Sequence, residues 1–573
     1  MRVKISKTKN NEYIAIIKSV RIGSKTTTKT VENLGNVKSL LPRFDNDINK
    51  VYEFANKRAL ELTKKENEDK EEVILKLSQS KRLNLDEQHL YNGGYLFLQD
   101  ILYDLGIKDI CNKISLDYKF EYDLEDILAK LIYTRILYPS SKLSSFKESD
   151  KFLEEKKFEL QHIYRALDVL SKNKEFIESS LYHNSTKLIK RNTSVLYYDC
   201  TNFFFETEEE NGLRQYGKSK EHRPSPIVQM GLFMDGNGIP LSMCINPGNT
   251  NEQKTLKPLE ETMIKDFKLS KFIVCTDAGL GSLENRVFNN KTNRSYIVTQ
   301  SLKKLKEHLK TWALDEDGFK LSGSNKTYSL KEINENKAIF KDKIFYKERW
   351  INENNLEQRL IVSYSLKYKE YQESIRNNQV DRARKLVDNN LVDSYKNPNS
   401  SKRFINETSV TKDGEVAEDK TLSINEDRIK EESRYDGFYA VCTTLEDPIE
   451  EIININKNRW EIEESFRIMK TEFKSRPVYL NKDDHIKAHF ITCFIALLVY
   501  RILEKKLDNE YTTKEIITTL KDFNFIRFTG EGYVPTYTRT DITDKLHEVF
   551  DFRTDNQIVS NKNMLKIIRK TKR

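Results

Sequence analysis

The sequence predicts an α/β protein: a mixed five-stranded sheet with helices, interrupted by an insertion domain and preceded by a helical module with a small β element. Three observations predict it. Short apolar runs typical of strands alternate with amphipathic stretches after about residue 190, the residues before them have helical periodicity, and the alternation breaks over residues 303–436. At 573 residues the chain is long enough for several structural units.

Residues 1–85 are predicted to form a small basic β element and a charged helical linker. Tyr13–Ile17 and Thr26–Val31 are strand-like and flank a turn at residues 22–24. From Asp45 to Arg82 the sequence is highly charged, with apolar residues at helical intervals, which is typical of a solvated helix or pair of helices.

Residues 86–190 form the predicted helical N-terminal module, and residues 191–302 begin the α/β domain. Its elements follow in order: strand Val195–Tyr198 before Asp199, antiparallel strands Val228–Met234 and Ile239–Ile245 around a turn, helix Glu252–Phe267, strand Phe272–Cys275 before Asp277, and strand Tyr296–Val298. Three meandering strands, a helix and two more strands match the order of an RNase H-like core.

The insertion domain, residues 303–436, contains strand-like pieces at Ala338–Phe340, Ile344–Tyr346 and Leu360–Ser363. The second part of the α/β domain, residues 437–510, is predicted to hold strand Phe438–Thr443 and two helices, one long and amphipathic over Ile449–Phe473 and one over His485–Leu507. Residues 511–573 are a C-terminal basic region, whose end, Lys562–Arg573, is either disordered or a nonspecific contact for a polyanion.

Composition limits the function classes. The 97 Lys and Arg residues against 88 Asp and Glu residues leave a net charge of +9, which permits a polyanionic partner without requiring one. Six scattered cysteines favour a reducing cytoplasm. The N-terminus lacks an apolar segment, and the longest apolar run is too short to span a bilayer, so membrane insertion is not expected.

The residues that carry chemistry are acidic. Asp199 and Asp277 each follow a strand, where two carboxylates can lie close enough to hold Mg²⁺. Paired metal ions need a third acid, and Glu463 lies between Arg459 and Lys470 at spacings of four and seven, on one helical face. An isolated helix of this kind is an ordinary salt-bridged surface helix, but a helix facing a polyanion needs the same pattern.

Several motifs in order resemble DDE-type insertion-sequence transposases with a Y-R-E-K signature. They are Asp199-Cys-Thr201-Asn-Phe-Phe-Phe-Glu206, the loop from Gly217 to Arg223, Gly248-Asn249-Thr250, Thr276-Asp277-Ala-Gly279, and Arg459-x3-Glu463-x6-Lys470. The likeness covers roughly residues 190–500. It implies an RNase H-like fold, two Mg²⁺ or Mn²⁺ ions, and recognition of terminal inverted repeats in double-stranded DNA.

By motif position, the resemblance assigns Asp199, Asp277 and Glu463 as catalytic metal ligands. It assigns Arg459 and Lys470 as phosphate contacts, and puts Asn456 where the signature has a tyrosine, so that contact is left open. The loop residues Lys218, Lys220, His222 and Arg223 either grip phosphate or are solvated, and the helical module either packs or binds DNA ends. Trp312 and Trp350 are candidates for stacking on a flipped base, although core packing is the simpler interpretation.

His485 and His489 have the i, i+4 spacing of a zinc helix but lack a third ligand, so zinc is rejected. The expected activity is cleavage at element ends by a homodimer in a synaptic complex, followed by joining of the 3′-hydroxyls to target DNA. The alternatives are an inactive DNA-binding relic and an RNase H-like nuclease without strand transfer. The expected location is the cytoplasm, at the nucleoid when bound to DNA.

Overall fold

The protein is described here from a computed structural model, which covers residues 1–8, 11–22, 25–71, 73, 75, 77–80, 82–85, 87–389, 400–410 and 416–573. Residues 23 and 24 of the predicted N-terminal turn, and residues 390–399 and 411–415 of the predicted insertion, lie outside the described residues. The chain divides into two compact units. Unit 1 comprises residues 1–89, 526–535 and 555–564, and unit 2 comprises residues 90–525, 536–554 and 565–573.

Unit 1 begins with an antiparallel three-stranded sheet. Its strands are β1 (Arg2–Lys7), β2 (Glu12–Ile22) and β3 (Lys25–Asn36), followed by helices α1 (Val37–Leu40) and α2 (Ile48–Glu71). Ile14 of β2 packs with Val37, Val51 and Ala55 in a small core, because one side of the sheet is covered by these helices. The two predicted strands are confirmed within β2 and β3, and the charged helix is confirmed from Ile48 to Glu71 but not as far as Arg82, because the described residues between 73 and 82 are not helical.

The helical module of unit 2 follows the short strand β4 (Leu90–Asn92). Its helices are α3 (Tyr95–Asp104), α4 (Ile107–Ser115), α5 (Leu124–Leu137), α6 (Lys142–Glu148), α7 (Leu160–Lys172) and α8 (Lys174–Leu188). Every residue of α5 is buried apart from its second and third, Glu125 and Asp126. A helix that is apolar on nearly all sides is stable only when surrounded by others, so the module is a packed helical body.

The first part of the α/β domain holds the predicted elements in the predicted order. They are β5 (Val195–Phe204), β6 (Ile227–Asp235), β7 (Pro240–Pro247), α9 (Gln253–Asp266), β8 (Phe272–Thr276), α10 (Leu283–Phe288) and β9 (Arg294–Thr299). Strands β5, β6 and β7 form the predicted antiparallel meander, and β8 and β9 run parallel to β5. Leu196, Tyr198 and Cys200 of β5 pack against Leu259 and Met263 of α9.

The middle of the chain adds further strands and helices. They are α11 (Glu307–Leu314), β10 (Phe319–Leu321), β11 (Thr327–Tyr328), α12 (Leu330–Glu335), α13 (Lys337–Phe340), β12 (Phe345–Glu353), β13 (Leu356–Tyr364), α14 (Leu366–Asp388), β14 (Ile405–Val410), β15 (Val416–Ile424) and α15 (Glu426–Ser433). The strand predicted at Ala338–Phe340 is wrong, because these residues lie in α13. A three-residue apolar run does not by itself distinguish a strand from a helical turn.

The remaining elements of the chain start with a strand. They are β16 (Phe438–Thr443), α16 (Ile449–Lys457), α17 (Trp460–Arg467), a π-helical turn (Ile468–Glu472), α18 (Asp483–Lys506), α19 (Thr513–Asp522), β17 (Asn524–Phe528), β18 (Gly532–Pro535), α20 (Asp541–Phe550), β19 (Val559–Ser560) and α21 (Asn561–Lys570). Helix α18 is the one described helix long and apolar enough to cross a membrane, and 94% of its apolar window is buried inside the protein. The core helix of a globular domain has the same properties.

The large sheet has ten strands, in the order β11-β10-β12-β13-β16-β9-β8-β5-β6-β7, where the sequence predicted five. The additional pairing begins at β9, whose free edge accepts β16 in antiparallel register. Strand β13 then pairs with β16, and β12 with β13. An exposed strand edge offers unpaired N–H and C=O groups, so β16, from the predicted second part of the α/β domain, satisfies the edge of β9, and β13 of the predicted insertion satisfies the edge of β16.

Two further predictions are corrected. The helix predicted over Ile449–Phe473 is broken, because α16 ends at Lys457, α17 starts at Trp460 and a π-helical turn follows. The C-terminal tail is folded rather than disordered, since Thr571 is buried and accepts a hydrogen bond from Gln99 at 2.9 Å. Lys570 and Lys572 form ion pairs with Asp551 and Glu154.

Candidate active site

The two predicted aspartates lie on neighbouring strands. Strands β5 and β8 pair in parallel, with Val195 opposite Ile273 and Tyr197 opposite Cys275. Two residues further along each of these strands, the same register puts Asp199 level with Asp277, on the same face of the sheet. Strand β5 does not end at Asp199 as predicted but continues to Phe204, because residues 200–204 pair with β6. Asp199 therefore lies where the parallel ladder stops, not where its strand stops.

Asp199 is the only residue of β5 that is not fully buried. Burial raises the pKa of its carboxyl to about 6, and the negative charge of Asp277 acts in the same direction. The charges of Lys220 and Arg459, and the Cys200 N–H that donates to Oδ1 at 2.7 Å, oppose this shift. Ionised Asp199 is thus under-compensated, which is the electrostatic condition that a bound cation relieves.

Asp277 begins the turn that follows β8. Its Oδ1 accepts a hydrogen bond from the Leu280 N–H at 3.1 Å, and Gln253 of α9 donates to the carbonyl of Gly279 at 3.0 Å. Both hydrogen bonds stabilise the turn, and neither uses Oδ2 of Asp277. A half-buried carboxylate oriented by its own turn is a preorganised oxygen donor.

Glu463, the third predicted acid, lies on α17 with 58% of its side chain exposed. It pairs with Nη1 of Arg459 at 3.1 Å. Asp199, Asp277 and Glu463 do not form a group whose carboxylate oxygens all lie within 4.8 Å of one another. The three acids are on adjoining elements, but Glu463 is held by a cation rather than gathered with the aspartates.

Arg459 and Lys470 both approach the catalytic strand. Arg459 interacts electrostatically with Asp199 as well as with Glu463. Lys470 donates to the Thr201 hydroxyl at 2.6 Å, and burial, together with nearby Lys220, lowers its pKa to about 8. Lys470 contacts β5 from the π-helical turn. The helix predicted to carry Arg459, Glu463 and Lys470 on one face is therefore interrupted, although Arg459 and Lys470 both interact with β5.

Asn202 anchors the basic loop over residues 217–223. Its amide donates to the Lys218 carbonyl at 3.1 Å and accepts from the Lys220 N–H at 3.3 Å. Gly217 approaches the backbone of Gly248 so closely that a Cβ would lie 1.9 Å from its carbonyl oxygen. The loop is therefore held in place by Asn202 on one side and by the Gly248-Asn249-Thr250 motif on the other. The sequence analysis did not identify this role of Asn202.

The four predicted phosphate contacts of the loop, Lys218, Lys220, His222 and Arg223, differ in their interactions within the protein. All four side chains are exposed, but Lys220 also donates to the Cys200 carbonyl and pairs with Glu252 at 3.3 Å. Arg223 lies over the ring of Phe204, 4.1 Å from its centre. Lys220 thus acts on Asp199 directly, and the other three line the solvent side.

Asn456, which stands where the signature has tyrosine, donates to the hydroxyl of Tyr439 at 3.0 Å. Tyr439 belongs to β16, and its hydroxyl also contacts that of Thr299 at 2.7 Å. A phenol therefore does lie beside Asn456, supplied by a different element, and no sequence signal adjacent to the helix could reveal it.

Trp350 and Trp312 have different surroundings. Trp312 packs against the core beneath β10 and β12, with Lys347 and Arg349 over its ring. Trp350 is 46% exposed and lines a cavity of about 310 Å³ together with Lys304, Lys306 and Arg349. Of these two tryptophans, Trp350 is the one with the exposure that stacking on a base requires.

The two histidines of α18 are accounted for without metal. His485 pairs with Asp168 at 3.2 Å. His489 is buried, and its Nε2 lies 3.2 Å from the Ser475 carbonyl. Burial lowers the pKa of His489, which keeps its ring neutral.

Comparison with known proteins identifies the family. The transposase DDE domain model matches residues 192–499, more than half of the chain, and includes Asp199, Asp277 and Glu463. This chain belongs to the insertion-sequence DDE transposases. Residues 1–66 match the N-terminal domain of IS1634 family transposases. Enzymes with a DDE domain cut and transfer DNA, and such domains generally use divalent metal ions.

Other comparisons are more distant. A cryo-EM structure of the piggyBac transposase synaptic complex with hairpin DNA is similar at 9% sequence identity, with a TM-score of 0.35, over 82% of this chain and 86% of that chain. No curated protein matches the sequence significantly.

Proposed function

We propose that this transposase binds the terminal inverted repeats of its element, cleaves a phosphodiester bond at each end and joins the 3′-hydroxyls to target DNA. The observation that carries the proposal is the parallel register that sets Asp199 level with Asp277, beside α17, which bears Glu463 and is flanked by Arg459 and by Lys470 of the π-helical turn. The strand order β7-β6-β5-β8-β9 supports an RNase H-like catalytic core, residues 191–302 and 437–510, around the insertion of residues 303–436.

The donor set fits Mg²⁺ or Mn²⁺. Carboxylate oxygens are the ligands that these hard cations prefer, and the raised pKa of Asp199 reflects a carboxylate lacking sufficient positive charge. Asp199, Asp277 and Glu463 would hold two ions. When bound, such ions would activate the attacking water or 3′-hydroxyl and stabilise the leaving oxygen.

The cations of the site orient the DNA. Arg459 is paired with Glu463 at 3.1 Å, so a DNA phosphate that takes over the guanidinium releases Glu463 toward the aspartates. Lys470 and the exposed Lys218, His222 and Arg223 supply further phosphate contacts along the same face. Assembly of the three acids is thereby coupled to DNA binding, which limits cleavage of the wrong substrate.

Trp350 is proposed to stack on a base displaced near the cleavage site. Its exposed ring shares a cavity with three cations that can neutralise the adjoining phosphates. Two element ends must be cut in one reaction, which favours a homodimer in the synaptic complex. Six free cysteines are consistent with action in the reducing cytoplasm, at the nucleoid.

The test is excision and strand transfer on a plasmid carrying the terminal repeats, with Mg²⁺, for wild type and Glu463→Gln. Wild type is expected to excise and join, and the variant to bind ends without cutting. Cutting without covalent linkage of labelled 3′ ends to a target plasmid would show a nuclease. If wild type binds the ends but cuts with neither Mg²⁺ nor Mn²⁺, the protein is an inactive relic.

A further inference from the structure

A basic cavity of about 330 Å³ lies outside the candidate active site. Arg135, Lys142, Lys474 and Arg476 line it, and we use "basic cavity" for this group. Its walls come from the turn between α5 and α6 and from the segment after the π-helical turn. Among the residues that the structure describes, no carboxylate lines the cavity.

Lys142 is the unusual member. It is 4% exposed, and its ammonium is buried without a hydrogen-bond partner in the described part of the chain. Burial, and then the charge of Arg135, lower its pKa to about 7. Burying a lysine ammonium without a partner is costly, and a phosphate oxygen that enters the cavity would supply both the missing hydrogen bond and the opposite charge.

Arg135 shapes the walls. Its guanidinium donates to the carbonyls of Phe473 and Ser140, each at 3.0 Å, and so joins both sides of the cavity. Its Nε has no partner among the described groups. The cavity is thus held open by backbone contacts that leave positive charge facing inward.

The basic cavity is connected to the catalytic strand through Glu221. Arg476 forms an ion pair with this carboxylate, and Lys470 lies 3.8 Å from it. Lys470 in turn donates to Thr201, two residues from Asp199. A single DNA backbone that passes Lys470 can therefore also reach the cavity.

We propose that the basic cavity binds a phosphate group of the DNA backbone, with Lys142 as the buried cation that recognises it and Arg476 and Lys474 at its entrance. The site rests on the proposed function, since the DNA is that of the element end. It adds a phosphate clamp formed partly by the helical module, at residues that the transposase signature does not include.

Inorganic phosphate has the same chemistry as a backbone phosphate, and the experiment separates the two. Binding of terminal-repeat DNA is measured by fluorescence anisotropy over a series of salt concentrations. The proteins are wild type, Lys142→Met, Lys474→Met and the matched control Lys147→Met, which removes an exposed lysine from the same helix. Thermal unfolding is measured in parallel, in phosphate and in chloride at equal ionic strength.

Lys142→Met is expected to reduce the slope of log affinity against log salt by about 0.9, the contribution of one phosphate contact, and Lys147→Met to leave it unchanged. Lys142→Met removes an unpaired charge, so its thermal stability is expected to equal or exceed that of wild type. Should it fail to fold, Lys474→Met, which alters an exposed residue, carries the same expected reduction.

An unchanged slope in Lys142→Met, or an equal reduction in Lys147→Met, would overturn the inference. Stabilisation of wild type by inorganic phosphate with no difference in DNA slope would also overturn it, because the cavity would then hold a free anion. Failure of wild type to prefer terminal-repeat DNA over scrambled DNA would instead refute the proposed function.

Discussion

Asp199 combines burial with a neighbouring carboxylate, and the pKa of its side chain is raised to about 6 as a result. The folded protein therefore holds this proton more tightly than the unfolded chain, whose value is near 3.8. By linkage, the free energy of unfolding falls as pH rises between these two values, and the loss persists above about pH 6. The ionised carboxylate of Asp199 is therefore destabilised in the metal-free fold.

Asp199→Asn is expected to raise the free energy of unfolding at pH 8 in metal-free buffer, by at most about 3 kcal/mol, because it removes the buried charge. Mg²⁺ should stabilise wild type but not this variant. Denaturant unfolding at pH 4 to 8, with and without Mg²⁺, measures both effects.

Asp100→Asn is the matched control, since burial also raises the pKa of Asp100 to about 6, on helix α3. It should alter the pH dependence while leaving stabilisation by Mg²⁺ intact. Equal Mg²⁺ stabilisation of wild type and Asp199→Asn would contradict the assignment of Asp199 as a metal ligand.

Tyr439 places a phenol beside Asn456, at the position where the family signature has its own tyrosine. Tyr439→Phe is expected to slow end cleavage roughly 5-fold, because it removes one hydrogen bond between neutral groups, worth about 1 kcal/mol. Affinity for end DNA should change less than the rate. Single-turnover kinetics give the cleavage rate and fluorescence anisotropy gives the affinity for end DNA, each compared with wild type. An unchanged cleavage rate would exclude Tyr439 from the site.

At the scale of elements, the break between α16 and α17 and the π-helical turn after it decide which way the helix side chains point. Arg459 lies at the break, and Lys470 lies in the turn. A π-helical turn adds a residue to one turn and so rotates everything that follows. Lys470 donates to Thr201 of β5 from this turn, and Arg459 interacts with Asp199 of β5 from the break.

The loop over residues 217–223 is positioned by backbone contact with Gly248, which leaves no space for a side chain at Gly217. Gly217→Ala is expected to displace the loop, at a cost of about 1–3 kcal/mol in the free energy of unfolding. End binding should weaken, since Lys218 and Arg223 move with the loop.

The measurement is chemical denaturation together with DNA affinity. Ser219→Ala, in the same loop, is a control that removes a hydroxyl without a backbone clash. Wild-type affinity and stability in Gly217→Ala would show that the loop does not depend on this close approach.

At the scale of the whole molecule, the two units have separate cores. Unit 1 packs Ile14 against Val37 and Val51, whereas the ten-stranded sheet belongs entirely to unit 2. Deletion of residues 1–66 is therefore expected to leave the unfolding transition of unit 2 within a few degrees of wild type. Loss of their basic side chains should weaken binding to end DNA, most at low salt.

Calorimetry and salt-dependent anisotropy test this expectation. A shortened chain that loses its main unfolding transition would show that unit 2 depends on residues 1–66. Unaltered affinity at low salt would show that the first 66 residues do not contact DNA.

The sequence by itself determined the elements around the site. Strands β5, β6, β7, β8 and β9 and helix α9 follow from local periodicity, because burial of one face or of both faces imposes a repeat on the apolar residues. The acid after each apolar run was visible for the same reason. The metal-binding role of Asp199, Asp277 and Glu463 stays a prediction.

Only the tertiary structure decided which distant segments meet. The pairing of β9 with β16 joins residues more than a hundred positions apart, and that pairing brings Tyr439 to Thr299. The basic cavity likewise joins Lys142 to Arg476 across the chain. Such contacts depend on edge pairing and on the packing of helices whose separation leaves no periodic trace in the sequence, so local patterns cannot encode them.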